Sequence, residues 1–473
     1  MKDILLTTIN AKWIHPSLAL RLLKANLGDL EDRCEIIEFA LRQPLYEKIQ
    51  PVLYARPRIL GVSVSIWNHL AAMELLCELE KAWAGERPAI VLGGPEVSHL
   101  PPAAEIFRYA DYVIRGEGEN AFRTLCETIF NGGHERRGTA ARFINAENVD
   151  IGGIKNGYHL YTDEDVTKKL IYVESSRGCP FNCEFCLSSV KNGVNKNKAD
   201  GKTREFPLDP FLAEMDELVQ RKVKTFKFLD RTFNINIKRA ISIMEFFLEK
   251  IEQGNEIVVH FEMVPSLFPP ALRETLSRFP HGTLRLEIGV QTLNPEVSAR
   301  ISRAGYQNQH GLQEKELDAI RFLRKETSAI VHADLIAGLP GENIASFGSG
   351  FDRLLSCFAT PKTDNMEIQV GILKLLPGTP IFRHNSAFGM CYDSLPPYEV
   401  KETSAISAND LFRIKNFARF WEIIVNRKLT DFDAGKFTFE KFLALSDSLY
   451  SHFNKNWGID KNELINAVKN FII

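Results

Sequence analysis

Two kinds of apolar run alternate along the first 130 residues. Residues 4–9, 35–39, 59–66, 89–92 and 112–114 are short and rich in aliphatic and β-branched side chains, and they read as strands. Between them, residues 16–27 carry Leu20, Leu23 and Leu27 at helical spacing, and residues 70–83 carry Leu75, Leu76 and Leu79. Residues 120–130 continue as a helix. Strands alternating with helices predict a parallel, doubly wound sheet of flavodoxin-like type, with its ligand beyond the strands' carboxyl ends.

The pattern then loosens and restarts. Residues 133–168 are rich in Gly, Asn and charge and predict a linker with one short hairpin. Strand patterns return at residues 170–175, 225–230, 257–262, 284–290, 330–336 and 366–373. Helical spacing fills gaps between them, at 210–221, 238–251, 317–324 and 345–357. Six βα units predict a partial (β/α)6, TIM-like barrel with its site at the strands' C-terminal ends. In the tail, Leu411, Ile414, Phe417, Trp421 and Ile424 form a helical stripe. The fold class is therefore α/β: a doubly wound domain over 1–132, a linker over 133–168, a barrel over 169–390 and a helical domain over 391–473.

Composition adds boundaries rather than direction. The 473 residues suggest two to four domains at roughly 100–200 residues each. The net charge of −2 exerts no global pull on nucleic acid or an anionic membrane. The apolar run after Met1 is too short for a signal peptide, and no stretch approaches a membrane span of roughly 18 apolar residues, so a cytoplasmic location is expected. Eight cysteines are scattered, and only Cys179, Cys183 and Cys186 are clustered.

Those three stand in Arg177-Gly178-Cys179-Pro180-Phe181-Asn182-Cys183-Glu184-Phe185-Cys186, spaced C-x3-C-x2-C just after a strand. Three thiolates on one tight loop reach three corners of an iron–sulfur cube and leave the fourth iron open. Structural zinc is the alternative. It usually takes four ligands, and the nearest histidines, His134 and His159, lie upstream.

The spacing, with the aromatic Phe185 before the last cysteine, resembles the signature of the radical S-adenosylmethionine (SAM) superfamily. The resemblance implies a [4Fe–4S] cluster on Cys179, Cys183 and Cys186, with SAM chelating the open iron. The reduced cluster then cleaves SAM to a 5′-deoxyadenosyl radical. Phe185 is implied to lie along the adenine. Asp230, Glu287, Gln291 and Asp334, each on or just after a strand, are implied to contact SAM. An electron donor such as flavodoxin or ferredoxin is implied as a partner.

The N-terminal domain carries Ser63-Val64-Ser65 on its third strand and Gly93-Gly94 after the fourth. This pattern resembles cobalamin (B12)-binding domains, in which small serines admit the nucleotide tail and glycines allow close approach. The two resemblances together match cobalamin-dependent radical SAM enzymes and imply Ser63, Ser65, Gly93, Gly94 and Glu117 as cofactor-binding residues. The first loop carries His15 but lacks the Asp and Gly of the usual cobalt-ligand motif, which leaves the lower ligand undefined.

The activity expected from this combination is methylation or rearrangement of an unactivated carbon, and the sequence identifies neither substrate nor catalytic residue. Two alternatives remain open. A methylthiotransferase-like enzyme would use three N-terminal cysteines for a second cluster; Cys34, Cys77 and Cys126 are three, but the last two fall in helical patterns. A non-catalytic cobalamin or Fe–S sensor is the other. A degenerate N-terminal domain with no cofactor, and relay roles for Cys357 or Cys391, complete the field.

Overall fold

The computed structural model describes residues 2–83, 87–133, 141–190, 203–303, 311–357, 366–429 and 437–472. His134 and the rest of residues 134–140, part of the expected linker, lie outside them. The chain divides into two compact units. One comprises Met1–Gly178, Val190–Leu229 and Leu376–Gly378; the other comprises Cys179–Ser189, Asp230–Leu375 and Thr379–Ile473.

The first unit begins with β1 (Ile4–Asn10), α1 (Leu18–Ala25), β2 (Cys34–Ala40), α2 (Leu45–Ala55), β3 (Ile59–Ser63), α3 (His69–Ala82), β4 (Ala89–Gly93), α4 (Pro95–His99), β5 (Tyr112–Arg115), α5 (Gly118–Phe130) and β6 (Arg142–Asn145). Its strands lie in the order β2-β1-β3-β4-β5-β6, all parallel. Alternate side chains feed two cores. Leu5, Leu60, Ile90 and Val113 meet α2 and α3 through Val52, Leu75 and Leu79. Ile4, Leu6, Val91 and Ile114 meet α1 and α5 through Leu20, Phe122 and Leu125. A sheet covered on both faces explains why its strands read as continuous apolar runs.

Three of these elements, α2, the five-residue α4 and β6, were not apparent in the sequence. Helix α2 contains Pro51 and starts after Pro44, which obscures its period. Strand β6 lies within the expected linker, where it pairs in parallel with β5 instead of forming a hairpin. Its four residues form a half-exposed edge with no alternation long enough to detect. The same stretch holds α6 (Asp163–Lys168), capped by Thr162 and Asp165. Arg21 on α1 bonds Glu38 on β2 at 2.8 Å and Asp165 on α6 at 2.6 Å, all three buried or nearly so. This unit continues through β7 (Ile171–Val173), the antiparallel pair β8 (Ser176–Arg177) and β9 (Arg204–Glu205), α7 (Leu208–Gln220) and β10 (Thr225–Phe228). Strands β7 and β10 pair in parallel.

The second unit contains α8 (Ile237–Glu252), β11 (Val258–Met263), α9 (Pro270–Ser277), β12 (Leu284–Gln291), α10 (Pro295–Arg300), α11 (Leu312–Glu326), β13 (Ile330–Ala337), α12 (Ile344–Ser356) and β14 (Met366–Ile372). Strands β11-β12-β13-β14 are successive parallel neighbours. Every second side chain is buried: Val259, Phe261 and Met263; Leu284, Leu286, Ile288 and Val290; Val331, Ala333 and Leu335. The opposite face carries His260, Glu262, Glu287, His332, Asp334 and Glu367.

After β14 come the antiparallel β15 (Cys391–Tyr392) and β16 (Val400–Glu402), then α13 (Ala408–Trp421), a π-helical turn over Glu422–Asn426, α14 (Phe439–Phe453) and α15 (Lys461–Ile472). The expected apolar stripe is buried, from Leu411 through Ile424. Phe417 and Trp421 pack with Phe351, Phe439 and Phe442. The tail also satisfies backbone groups of the β14 strand and the residues just after it. The Val400 N–H donates to the Leu373 carbonyl at 2.8 Å, and Asn426 Nδ2 donates to the Ile368 carbonyl at 3.0 Å.

Candidate cofactor sites

In the second unit, Cys179, Cys183 and Cys186 occupy one loop, each partly exposed. The loop is closed by the Cys186 N–H donating to the Cys183 carbonyl at 3.0 Å. The Ser189 hydroxyl donates to the Cys186 carbonyl at 2.7 Å. Cys179 Sγ lies 3.4 Å from the Thr232 hydroxyl. Burial pushes the Cys183 thiol up to about 11, opposed by the nearby Arg303 charge. Burial also raises Cys179, opposed by its contact with Thr232. Burial thus disfavours the free thiolates, and a bound metal must displace the thiol protons. Among the described residues, no three His, Cys, Asp or Glu side chains converge as a single metal ion requires. A four-iron cluster takes its thiolates one per corner, further apart than a single zinc does, and three partly exposed thiols on one loop fit that donor set.

The polar face of β11 to β14 lies in the same unit. Glu262, Glu287, His332 and Glu367 share one register row across the four strands. The carboxylate of Glu287 is 3.5 Å from His260 Nε2, and that of Glu367 is 3.0 Å from His332 Nδ1. The two imidazoles stack at 6.1 Å. Burial works against the Glu367 carboxylate, but the His332 hydrogen bond and the charges of His332, Arg427 and Arg285 hold it below its ordinary value. One step along, Gly289 and Asp334 are paired, and β12 ends in a bulge at Gln291. Gln291 has φ +69°, a left-handed conformation rare for a side chain of this kind. It is the centre of a tight turn in which the Thr292 N–H reaches the Val290 carbonyl at 2.9 Å. Its amide nitrogen lies 2.5 Å from where a Cβ on Gly289 would stand, so a side chain there would push the Gln291 amide aside.

The first unit has a second constellation, at the ends of β3 and β4. Register places Ser63 beside Gly93. A Cβ added to Gly93 would meet nothing nearer than the Ile114 carbonyl at 3.9 Å, so the space above it is open to a ligand. Gly94 is different: at φ +105°, its Cβ would strike the Val64 carbonyl at 2.5 Å. Asn68, fully buried, shapes this rim. Its Oδ1 accepts from the Ser65 N–H at 2.7 Å, and its Nδ2 donates to the Ile9 carbonyl at 3.0 Å. Small side chains and an open glycine at the centre of a doubly wound sheet fit a cobalamin tail.

The structure thus divides the expected residues into sets. Cys179, Cys183, Cys186 and Phe185 share the loop, with Glu287, Gln291 and Asp334 on the polar face or its end. Asp230 is buried just beyond β10. Ser63, Ser65, Gly93 and Gly94 converge in the first unit. Glu117 is tied into the frame instead. It accepts from the Val149 N–H at 2.8 Å, lies 3.6 Å from Arg177 and is bound by Arg204. His15 Nδ1 faces the Tyr172 hydroxyl at 2.8 Å. Cys34 and Cys126 are buried, and burial drives the thiol of Cys34 up to about 12. Sequence reasoning missed His260, His332 and Glu367. All three lie on the same strand alternation as Glu287 and Asp334, which is the signal that could have found them. It also missed Glu184, inside the cysteine motif. A cleft of about 630 Å3 beside Pro265, Phe268 and Arg273, and one of about 420 Å3 beside Asn120 and Thr124, touch none of these residues.

Comparison with known proteins agrees with this division. Residues 4–126 match the family model of the B12 binding domain, and residues 173–352 that of the radical SAM superfamily. An uncharacterized methyltransferase of Pyrococcus horikoshii is 31% identical over 175 residues, 33% of this chain and 36% of its own. The cobalamin-dependent radical SAM methyltransferase TokK of Streptomyces tokunonensis is 24% identical over 353 residues, 69% of this chain and 48% of its own. The chain therefore spans half or less of the length of these curated relatives. Among solved structures, the cobalamin-dependent SAM radical enzyme OxsB aligns with a TM-score of 0.62 at 14% identity, covering 99% of this chain and 78% of its own. The radical SAM methyltransferase TsrM of Kitasatospora setae aligns with a TM-score of 0.60 at 17% identity, covering 84% and 78%. With the B12 binding domain matched over residues 4–126 and the radical SAM superfamily over residues 173–352, the chain combines a cobalamin-binding domain and a radical SAM domain in that order.

Proposed function

We propose that the chain is a cobalamin-dependent radical SAM methyltransferase acting on a carbon centre. The observation that carries this reading is the three-thiol loop in a chain that also presents an open Ser63/Gly93 rim. When bound, the cluster with SAM supplies hydrogen abstraction, and cobalamin supplies methyl transfer.

The residues of the chain bind and orient. Cys179, Cys183 and Cys186 hold the iron and leave one corner for the amino and carboxylate groups of SAM. Phe185, Asp230, Glu287, Gln291 and Asp334 position SAM. The acidic surplus of the polar face suits its positive charge, and the bulge turns the Gln291 amide over Gly289. Ser63, Ser65, Gly93 and Gly94 receive cobalamin, while Glu117 serves the frame through Arg177 and Arg204. An electron donor of flavodoxin or ferredoxin type supplies the reductant.

The test is anaerobic reconstitution of the full chain with iron, sulfide and hydroxocobalamin, followed by reduction with SAM present. About four irons per chain are expected, with both 5′-deoxyadenosine and S-adenosylhomocysteine formed. Deoxyadenosine alone would replace methylation with rearrangement or oxidation. An iron count near eight would favour the methylthiotransferase alternative.

A further inference from the structure

We propose that Glu184 is the positioning residue of the cysteine loop, and that the segment carrying Ile381, Arg383 and His384 belongs to the cluster site. This rests on the reading of the three cysteines as cluster ligands. Glu184 stands between Cys183 and Phe185 and is only 3% exposed. Its backbone is held from both sides: its N–H donates to the Ile301 carbonyl at 3.0 Å, and its carbonyl accepts from the Ile381 N–H at 3.0 Å. Its carboxylate accepts from the Ser302 hydroxyl at 2.6 Å and from Arg383 on the same oxygen, while the other oxygen lies 2.9 Å from His384 Nε2.

A buried carboxylate is costly unless paired. This one is paired with two separate segments, 301–302 and 381–384, and it joins them to the middle of the motif. With Glu184 fixed at main chain and side chain, the directions in which Cys183 and Phe185 leave the backbone are fixed too. The loop is therefore shaped before iron arrives. The radical SAM match ends at residue 352, so the partners Ile381, Arg383 and His384 lie outside it. The segment after the barrel strands thus supports the cluster loop in addition to leading into the tail.

The experiment compares the full chain, anaerobically reconstituted, with Glu184→Ala, Glu184→Gln, Arg383→Ala and His384→Ala. Three readouts are needed: the rate of iron loss to a chelator, the electron paramagnetic resonance of the reduced cluster with and without SAM, and hydroxocobalamin binding with thermal melting as a control on folding. Outer partners of metal ligands typically change affinity about 10- to 100-fold. Glu184→Ala is expected to lose iron faster by about that factor and to blunt the SAM-induced spectral change. Glu184→Gln, which keeps an acceptor for Ser302 and Arg383, restores most of both. A folded Glu184→Ala protein that holds iron and responds to SAM like the parent overturns the proposal. If Glu184→Ala does not fold, the two partner variants decide. The side chain of Arg383 is 57% exposed, so its loss spares the core. Parental iron loss in both overturns the proposal. A parent chain that takes up no iron removes the cluster reading, and this one with it.

Discussion

At residue scale, adjacent glycines have opposite reasons to be glycine. Gly94 is required by its own backbone, since φ +105° and the Val64 carbonyl leave no room for a side chain. Gly94→Ala should lower stability by about 1–3 kcal/mol, read by denaturant melting. A Cβ on Gly93 would meet nothing closer than an ordinary contact, so Gly93→Ala should melt as the parent does yet bind hydroxocobalamin more weakly, read by spectroscopic titration. Equal affinity would place the cobalamin elsewhere. Glu342 makes a third case. It is buried, accepts from Thr292 at 2.7 Å, and burial raises its carboxyl to about 7. The unfolded carboxyl ionises near its ordinary value, so between that pH and about 7 the unfolded chain binds fewer protons than the folded one. This group's contribution is thus most favourable below the unfolded value and falls as pH rises to about 7. Glu342→Gln should reduce the drop in melting temperature between pH 5 and pH 8, and an unchanged drop would show that Glu342 is not its source. Among single residues, spacing in the sequence singled out the cysteines, Phe185 and the serine–glycine pairs. Glu184 was not, because its value lies in partners more than a hundred positions away along the chain.

At the scale of elements, period decided what could be read. The central strands of both sheets were located to within a few residues because burial writes itself into the sequence as continuous or alternating apolar runs. Helix α2 and strand β6 escaped, one interrupted by proline and the other short and half-exposed. Strand alternation also carries the polar face: the resemblance pointed to Glu287 and Asp334, while His260 and His332 on the same face went unnamed. The Arg21 contact with Glu38 and Asp165 joins three elements through one buried guanidinium. Arg21→Ala takes the basic partner from Glu38, while Asp165 keeps Lys169 at 2.8 Å, and should cost about 3 kcal/mol in chemical denaturation. A loss below about 1 kcal/mol would mean that water replaces the arginine.

For the whole molecule, domain order was legible and the role of the tail was not. The tail shields its aromatic stripe and also bonds the backbone of β14 and the residues after it through Val400 and Asn426, contacts that no local pattern announces. The functional account converges on whether three sulfurs grip a cluster with one open corner. The most direct measurement is iron content with reductive SAM cleavage in the anaerobically reconstituted full chain, beside Cys183→Ala. The parent should carry about four irons and release 5′-deoxyadenosine, and the variant should lose both. A variant that keeps parental iron and still cleaves SAM would contradict the account at its centre.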